Sequence, residues 1–339
     1  MSGWKGDGKL FRNIGDYTHH VKHFAMPCTG GRVRAAGWRT AAKIVLDLLL
    51  IIVNWGYDGG KSTRVLVSEE AAMSNVPVIR RTMRLFQIDG KVALVTGGAG
   101  IYGVHIVRAL AEAGAHVIIA SRDTTKCKGL AELMHSEGLS VEAAKLDLTS
   151  ESSIRCLQEK ILDHHGRLDV LVNNAVARSG GDLRNVTVAE WETAMKVNST
   201  GLFLACQIFS ESMQEALSGA IINIASIYGM VGYDATIYKG TQLSNPVNYA
   251  FAKGGMISLT RYLASFLAPF NVRANCLSPG GFRNEDTPVE FVPNYSRRTP
   301  LGRMAEPDDI KGPVVFLASE ASRYVTGQNL PVDGGWTAI

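Results

Sequence analysis

Tyr249 and Lys253 are the two residues whose types and spacing point most directly to proton-transfer chemistry. Residues four apart share one face of a helix, so the lysine ammonium would lie near the phenol. A free phenol ionises only at pH ~10, and a neighbouring cation favours its ionised form. Ser226 ends an apolar run 23 residues before Tyr249. An exposed helical pair and a serine that caps a strand would explain the same residues without chemistry.

A glycine-rich turn, Gly98-x-Gly100-x-x-Gly103, follows the apolar run 91–97 and precedes the helical pattern 101–115. Glycines allow a tight turn and a close approach of the backbone, and the N-terminus of the following helix offers N–H donors to a pyrophosphate. Strand, turn and helix together are the setting that a dinucleotide-binding motif requires. We therefore predict a dinucleotide site here, with a plain glycine-rich turn as the alternative.

The end of the second apolar run indicates which dinucleotide is bound. Ser121 and Arg122 stand where an NAD site usually has an acidic residue that holds the ribose hydroxyls. A guanidinium can pair instead with a 2′-phosphate, which favours NADP(H). Asp123 follows directly and keeps NAD(H) open.

Short apolar runs alternate with amphipathic helical patterns from residue 91 to the end of the chain. The runs predict strands at 91–97, 116–121, 141–148, 168–175, 220–226, 271–281 and 329–335, and the longest helical patterns are 186–217 and 248–268. Strands that are apolar throughout and separated by helices form a parallel sheet covered on both faces. We therefore predict an α/β, doubly wound Rossmann fold with about seven parallel strands.

The first 85 residues differ in composition from the rest of the chain. They carry 13 Lys and Arg against 6 Asp and Glu, although the net charge of the whole chain is only +4. The remainder is therefore slightly acidic, which argues against nucleic-acid binding by the main body. We predict a basic N-terminal extension at 1–85, poorly ordered or a leader, and a single domain at 86–339 that contains both the cofactor and the substrate sites.

Compartment and metal content can also be predicted from the sequence. The apolar run 41–55 contains two charged residues and is too short for a membrane span of ~20 residues. The five cysteines are scattered without CxxC spacing, which is typical of reduced thiols in the cytoplasm, while organellar targeting by the basic leader stays open. The cluster His19-His20-x-x-His23 with Cys28 lacks a second ligand pair, so we expect no metal.

Eight short motifs, spread in order over about 250 residues, resemble those of the short-chain dehydrogenase/reductase family, whose domains have this size. They are TGGAGIYG (96–103), LDL (146–148), NNA (173–175), MKVNSTG (195–201), INIAS (222–226), YAFAK (249–253), NCLSPGG (275–281) and YVTGQNLPVDGG (324–335). The resemblance implies an enzyme that transfers a hydride between NAD(P) and a carbonyl or secondary alcohol. Residues 1–85 have no counterpart in that pattern.

The resemblance also implies four catalytic roles. Tyr249 is the acid/base, and Lys253 favours its phenolate and contacts the nicotinamide ribose. Ser226 orients the carbonyl oxygen of the substrate. Asn198 holds a water in a proton relay that reaches Lys253.

Further residues are implied to contact the cofactor because they lie at the glycine turn or at carboxyl ends of strands. They are Gly97, Gly98, Gly100, Ile101, Tyr102, Gly103, Ser121, Arg122, Asp147, Leu148, Asn174, Ala175, Tyr249, Lys253, Pro279, Gly280 and Phe282. The chain departs from the family pattern at three points. Ile101 replaces a glycine, Val176 replaces the glycine after NNA, and the threonine usual after Gly280 is missing.

Two polar segments predict the substrate class. The segment between Ser226 and Tyr249 is about ten residues longer than the family usually allows, and 283–300 stands where the family has its substrate lid. Such polar and aromatic loops favour a sugar, polyol or sugar acid, as in the sugar and gluconate dehydrogenases and surface-polysaccharide enzymes that the chain resembles. The expected contacts are Tyr233, Tyr238, Asn284 and Tyr295, and Arg297 and Arg298 indicate an anionic group.

Two other functions stay open. A 3-oxoacyl thioester reductase would need a basic patch and an apolar tunnel, and neither is clear in the sequence. A non-catalytic, dinucleotide-sensing relative would have lost the tyrosine or the lysine, and both are present. The helical patterns 186–217 and 248–268 carry more apolar residues than one sheet face needs, so by resemblance we expect a homodimer or homotetramer.

Overall fold

The computed structural model describes residues 82–178 and 180–339 of the chain. Its strands form one parallel sheet of seven in the order β3-β2-β1-β4-β5-β6-β7. The strands are β1 (Val92–Thr96), β2 (His116–Ser121), β3 (Val141–Lys145), β4 (Val170–Asn173), β5 (Gly219–Ile224), β6 (Val272–Pro279) and β7 (Asn329–Val332). The predicted doubly wound fold is thereby confirmed.

Helices cover both faces of the sheet. They are α1 (Gly103–Glu112), α2 (Thr124–Ser136), α3 (Glu151–His165), α4 (Val188–Met195), α5 (Leu202–Glu215), α6 (Val247–Leu267), α7 (Phe291–Arg298) and α8 (Pro307–Ala318). Helices α1, α2 and α8 share one apolar core with the sheet, and α3, α5 and α6 share a second core on its other face. Both faces of the strands are therefore buried, which explains their continuous apolar runs.

Strand β3 ends earlier than the apolar run predicted. The run extends to residue 148, but the strand stops at Lys145. The backbone N–H of Asp147 donates to the Ser153 hydroxyl, and the Asp147 carboxylate accepts from the Thr149 N–H and hydroxyl. These local bonds replace the ladder and turn the chain into α3.

The long helix predicted at 186–217 is interrupted. Between α4 and α5, Lys196–Gly201 form a π-helical segment. A Cβ on Gly201 would lie only 2.5 Å from the Leu148 carbonyl oxygen, so the helix passes that carbonyl with almost no space. Interruptions of this kind often occur at functional sites, and this one contains Asn198.

The order of the strands places a crevice between β1 and β4. The chain leaves β1 for β2 on one side and returns to β4 on the other, so their connections diverge. In open α/β sheets ligands bind at this reversal, outside the carboxyl ends of the strands. None of the helices in the described ranges is long and apolar enough to cross a membrane. The apolar run 41–55 and the His19–Cys28 cluster lie outside the described residues.

Candidate active site

A cleft of about 900 Å³ occupies the crevice at the carboxyl ends of the strands. The glycine turn after β1 lines one end of it, and residues 243–246 and 284–288 line the other. Ser226, Tyr249 and Lys253 lie between these two ends. The fold therefore brings residues that are far apart in sequence to one wall of one cavity.

Tyr249 lies in the first turns of α6 and is 8% exposed. Ser226, two residues after β5, lies close enough to the phenol to contribute to lowering its pKa. Burial alone would raise the pKa of Tyr249, but the positive charges of Lys253 and Arg178 outweigh it, so the pKa lies below that of a free phenol. This residue can therefore hold or release a proton closer to neutral pH than an ordinary tyrosine.

Other tyrosines in the same cleft show what the cations contribute. Burial raises the pKa of each of them, in the case of Tyr238 to about 12; the others are Tyr102, Tyr228 and Tyr295. These four tyrosines and Tyr249 are all buried. Among the five, the pKa is lowered only at Tyr249, which has Lys253 and Arg178 nearby. The local charge, and not the cavity alone, sets the chemistry of this phenol.

Lys253 is the buried partner of Tyr249, one helical turn further along α6. Its ammonium is 5.6 Å from the centre of the Tyr249 ring and donates to the carbonyl oxygen of Ile224 at 2.5 Å. The residue is only 4% exposed, and this burial lowers its pKa. The Ile224 carbonyl, at the end of β5, supplies a partner for an ammonium that has lost most of its water.

Arg178 is a residue of this site that the sequence prediction missed. Its guanidinium carbon is 5.2 Å from the centre of the Tyr249 ring, its charge lowers the pKa of the phenol, and it lines the cleft. A signal was present, because the chain departs from the family pattern at Val176, two residues earlier. A single arginine in a loop nevertheless belongs to no periodic pattern, so the sequence alone does not predict that it lies at this site.

Asn198 lies beside this arginine and not in the main cleft. Its amide accepts from the Ala177 N–H and donates to the Ala177 carbonyl, both at 2.8 Å, so it fixes the backbone next to Arg178. Asn198 and Lys253 also line a separate cavity of about 10 Å³. That volume is close to the space that one water needs. The side chain of Asn198 is thus a positioning group, and the relay through a water stays a prediction.

The glycine turn separates into residues that face the cleft and residues that pack behind it. Gly97, Gly100, Ile101 and Tyr102 line the cleft, and so do all the other predicted cofactor contacts except Gly98 and Gly103. A Cβ on Gly103 would lie 2.4 Å from the Gly97 carbonyl oxygen, and one on Gly98 would meet Ile119 at 2.8 Å. Both glycines let α1 and β2 approach the turn, and their contact with a cofactor stays a prediction.

Side chains on both sides of the turn hold it in place. The Asn174 amide donates to the carbonyl oxygens of Thr96 and Gly97, at 3.1 and 2.8 Å. Opposite it, the Tyr102 hydroxyl donates to the Gly280 carbonyl at 2.8 Å, and the Tyr102 ring meets Phe282 edge-on. Asn174 is therefore occupied in holding the turn, while Tyr102 closes one wall of the cleft.

The part of the cleft beside the carboxyl end of β2 carries positive charge. Arg122 and Lys126 line it together with Ser121, Asp147 and Leu148. The carboxylate of Asp123, which the sequence left open as a ribose ligand, instead accepts from the N–H groups of Thr125 and Lys126 and caps α2. Capping satisfies helix N–H groups that otherwise lack partners, so the carboxylate already has a structural role.

Three of the four predicted substrate residues line the cleft. They are Tyr238, Asn284 and Tyr295. Tyr233 does not line the cleft: its ring stacks on that of Tyr238 at 5.4 Å and is 51% exposed, so its contact with substrate stays a prediction. Tyr228, which was not predicted, lines the cleft and shares a hydrogen bond of 2.7 Å with Tyr238. The Tyr295 hydroxyl accepts from the Gly281 N–H, so this ring also braces the cofactor end.

The two polar loops are fastened to each other. The Asn294 amide donates to the Lys239 carbonyl at 3.0 Å, and Arg298 forms an ion pair with Asp234 at 3.4 Å. Neither Arg297 nor Arg298 lines the cleft, and Arg297 donates to the Asn294 side chain, so an anionic contact by these two residues stays a prediction. Arg178, in contrast, lines the cleft.

Comparisons with known proteins agree with this geometry. Residues 97–337 match the family model described as Enoyl-(Acyl carrier protein) reductase. A 3-oxoacyl-(acyl-carrier-protein) reductase of Chlamydia pneumoniae is 34% identical over 251 residues, covering 73% of this chain and 97% of that protein. A 5-keto-D-gluconate 5-reductase of Escherichia coli is 33% identical over 256 residues, covering 74% and 97%. A gluconate 5-dehydrogenase of Burkholderia cenocepacia, solved with NADP and tartrate, aligns with a TM-score of 0.69 and 32% identity, covering 76% of this chain and all of that one.

Proposed function

Since the chain belongs to the short-chain dehydrogenase/reductase family, we propose that it is an NADP(H)-dependent enzyme that interconverts a ketone and a secondary alcohol on a polyhydroxylated carboxylic acid. Oxidoreductases of this family act on CH–OH groups with nicotinamide cofactors. The observation that carries the proposal is the buried phenol of Tyr249, which lines the cleft with Ser226 and has the cations of Lys253 and Arg178 at 5.6 and 5.2 Å from its ring centre.

The residues of the cleft fit a dinucleotide. Gly97 and Gly100 allow a phosphate to approach the backbone before α1, whose N-terminus favours negative charge. Asp147 and Ala175 would border the adenosine half, and Pro279 and Gly280 the nicotinamide half. When bound, the nicotinamide supplies or accepts the hydride. The chain itself has to supply the proton and to orient the reacting oxygen.

The proton chemistry follows from the hydrogen bonds. The Ser226 oxygen accepts from the Tyr228 N–H at 3.2 Å, so its hydroxyl hydrogen remains available to donate to the Tyr249 phenolate or to a substrate oxygen beside it. In reduction Tyr249 gives its proton to that oxygen, and in oxidation its phenolate removes the proton. Lys253 stabilises the phenolate, and the water-sized cavity beside Asn198 provides a route for proton return.

The preference for NADP(H) rests on the charged end of the cleft. Arg122 and Lys126 line the region that would hold the 2′-position of the adenosine ribose. A 2′-phosphate would pair with these cations, whereas an NAD ribose would normally meet a free carboxylate. Because Asp123 caps α2, the second arrangement is disfavoured.

We predict that Arg122→Gln weakens the binding of NADPH about tenfold or more and changes that of NADH by less than about twofold, since one charge-assisted hydrogen bond contributes about 1.5–3 kcal/mol. Fluorescence titration of both cofactors measures this. Arg155→Gln is the matched control, because Arg155 pairs with Glu151 on the surface of α3. An equal loss for NADPH and NADH would contradict the 2′-phosphate contact.

The carboxylate on the substrate is inferred from Arg178. This guanidinium borders the substrate end of the cleft, and an anionic group next to the reacting carbon could pair with it while the oxygen meets Tyr249 and Ser226. The polar and aromatic loops would contact the hydroxyl groups of such a substrate. The 5-keto-D-gluconate 5-reductase and gluconate 5-dehydrogenase relatives support the same class.

A 3-oxoacyl thioester reductase is the second candidate, favoured by the Chlamydia pneumoniae relative. A panel of substrates assayed with NADPH separates the two: 5-keto-D-gluconate and other keto-sugar acids, neutral ketoses, and acetoacetyl thioesters.

We predict that kcat/KM is at least about tenfold higher for the keto acids than for neutral ketoses of equal length, and that Arg178→Gln abolishes this preference.

Arg178 also contacts Tyr249, so its replacement can slow the reaction of both substrate classes. The ratio of their kcat/KM values cancels this common effect and reports the carboxylate contact alone. Arg184→Gln is the control, since Arg184 follows on the same loop and pairs with Asp182 at the surface. Faster turnover of acetoacetyl thioesters would favour the second candidate. Equal rates for acids and neutral ketoses in the wild-type enzyme would contradict the carboxylate contact.

We also propose that the enzyme is a homodimer or homotetramer assembled through α5 and α6. Three aromatic side chains of α6 are more than half exposed in the single chain: Phe251 (61%), Tyr262 (65%) and Phe266 (55%). Phe203 of α5 adds a fourth at 49%. Aromatic side chains grouped on one surface are typical of interfaces.

Light scattering after size exclusion tests the assembly. We predict that the wild-type mass is two or four times 36.6 kDa and that Phe266→Lys lowers it, because a charge would be buried at the interface. Leu133→Lys, which alters an exposed apolar residue of α2, should leave the mass unchanged. A monomeric wild-type protein would contradict the assembly.

A further inference from the structure

Two histidines and a glutamate meet at the end of the sheet opposite to the cleft. His116 is the first residue of β2, Glu142 lies in β3, and His165 is the last residue of α3. One donor atom from each lies within 4.8 Å of those from the other two. Since β2 rises about 3.3 Å per residue, this group is on the order of 15 Å from the cleft and has no part in the chemistry proposed there.

The separations of the donor atoms are close to those of a metal site. His165 Nε2 lies 3.1 Å from one oxygen of Glu142, and His116 Nε2 lies 3.7 Å from the other. Around a tetrahedral zinc, with bonds of about 2.0–2.2 Å, neighbouring donors are about 3.3 Å apart. The two imidazole–carboxylate separations are therefore within a few tenths of an ångström of the zinc value, and the two imidazole donors lie within 4.8 Å of each other.

The orientation of His116 is the second observation. Its Nδ1 lies 2.8 Å from the Ser140 hydroxyl, and its Nε2 is buried without a hydrogen-bond partner. If Nδ1 carries the proton and donates to Ser140, Nε2 presents a lone pair towards Glu142 and His165. Metal-binding histidines are commonly oriented in this way by a bond from their other ring nitrogen. A metal would also give the buried nitrogen a partner.

We propose that His116, Glu142 and His165 bind a Zn²⁺ ion, with water as the fourth ligand. Two imidazoles and one carboxylate favour zinc over magnesium or calcium, which prefer sets of oxygen ligands. Glu142 is 48% exposed, so water can reach the open position. The ion joins β2, β3 and α3 at the edge of the sheet. This departs from the sequence-based expectation that the chain binds no metal.

Metal titration of the full-length protein, purified without a histidine tag and treated with a chelator, tests the site. Co²⁺ serves as the spectroscopic probe because its visible absorption reports a tetrahedral site, and Zn²⁺ displaces it. We expect His165→Gln and Glu142→Gln each to lose one equivalent of bound Zn²⁺ relative to the wild type. Zn²⁺ should also raise the Tm of the wild type more than that of these variants.

His164→Gln is the matched control, since His164 is adjacent in sequence but its ring bonds the Lys160 carbonyl. It should keep the full stoichiometry, and the comparison also cancels any zinc bound by histidines of residues 1–81. Unchanged NADPH binding by each variant verifies folding. If His165→Gln and the control bind the same number of equivalents with the same affinity, the proposal is wrong. A Tm that depends on pH but not on Zn²⁺ would instead assign the group to a protonated histidine–glutamate pair.

Discussion

The active site depends on holding an ionisable phenol against a buried ammonium, Lys253, with the exposed guanidinium of Arg178 at its side. Burial opposes ionisation of Tyr249, and Lys253, Arg178 and Ser226 together reverse that effect and lower its pKa. The same burial would neutralise Lys253 if it had no partner, and the Ile224 carbonyl and the phenolate both favour its charged form. Such an arrangement works only when every member is fixed, because a buried charge without its partner is costly.

The fold supplies this fixed arrangement from both sides. On one side, the 3₁₀ turn Ile227–Gly229 lies directly on α6: a Cβ on Gly229 would be 2.7 Å from the backbone of Lys253. This contact sets Ser226 against the phenol. On the other side, the π-helical segment directs Asn198 to the backbone beside Arg178. Two backbone irregularities thus hold Ser226 and the backbone next to Arg178 in place, and the 3₁₀ turn also brings Tyr228 to the cleft.

The sequence correctly predicted those parts of the fold that depend on local patterns of residues. Continuous apolar runs predicted the strands, and the glycine turn, Ser226 and the Tyr249–Lys253 pair lie where the order of motifs placed them. The sequence did not predict which side chains pair with each other. Arg297 donates to Asn294, three residues earlier on α7, and Arg298 pairs with Asp234 of the other polar loop. Arg178 contacts Tyr249 only because the loop after β4 passes beside α6, and no local pattern records that.

The group of His116, Glu142 and His165 gives the same lesson at the opposite end of the sheet. Its members are separated by 23 residues or more in sequence and follow no metal-binding spacing. Parallel pairing of β2 with β3, together with the return of α3, brings them together. Sequence spacing can identify sites whose residues lie within one turn or helix. A site whose residues come from different strands can be identified only when the register of the sheet is known.

The central claim is that Tyr249 transfers the proton and that nearby charge adjusts its pKa for this role. The rate of hydride transfer in single-turnover oxidation, measured against pH in the wild type and in Tyr249→Phe, tests it most directly. In the wild type the rate should rise with pH along one ionisation whose midpoint lies below the ordinary tyrosine value of about 10. Tyr249→Phe should bind NADPH normally, lose that ionisation and react about 10²- to 10⁴-fold more slowly. A Tyr249→Phe variant with the wild-type rate and pH profile would contradict the mechanism.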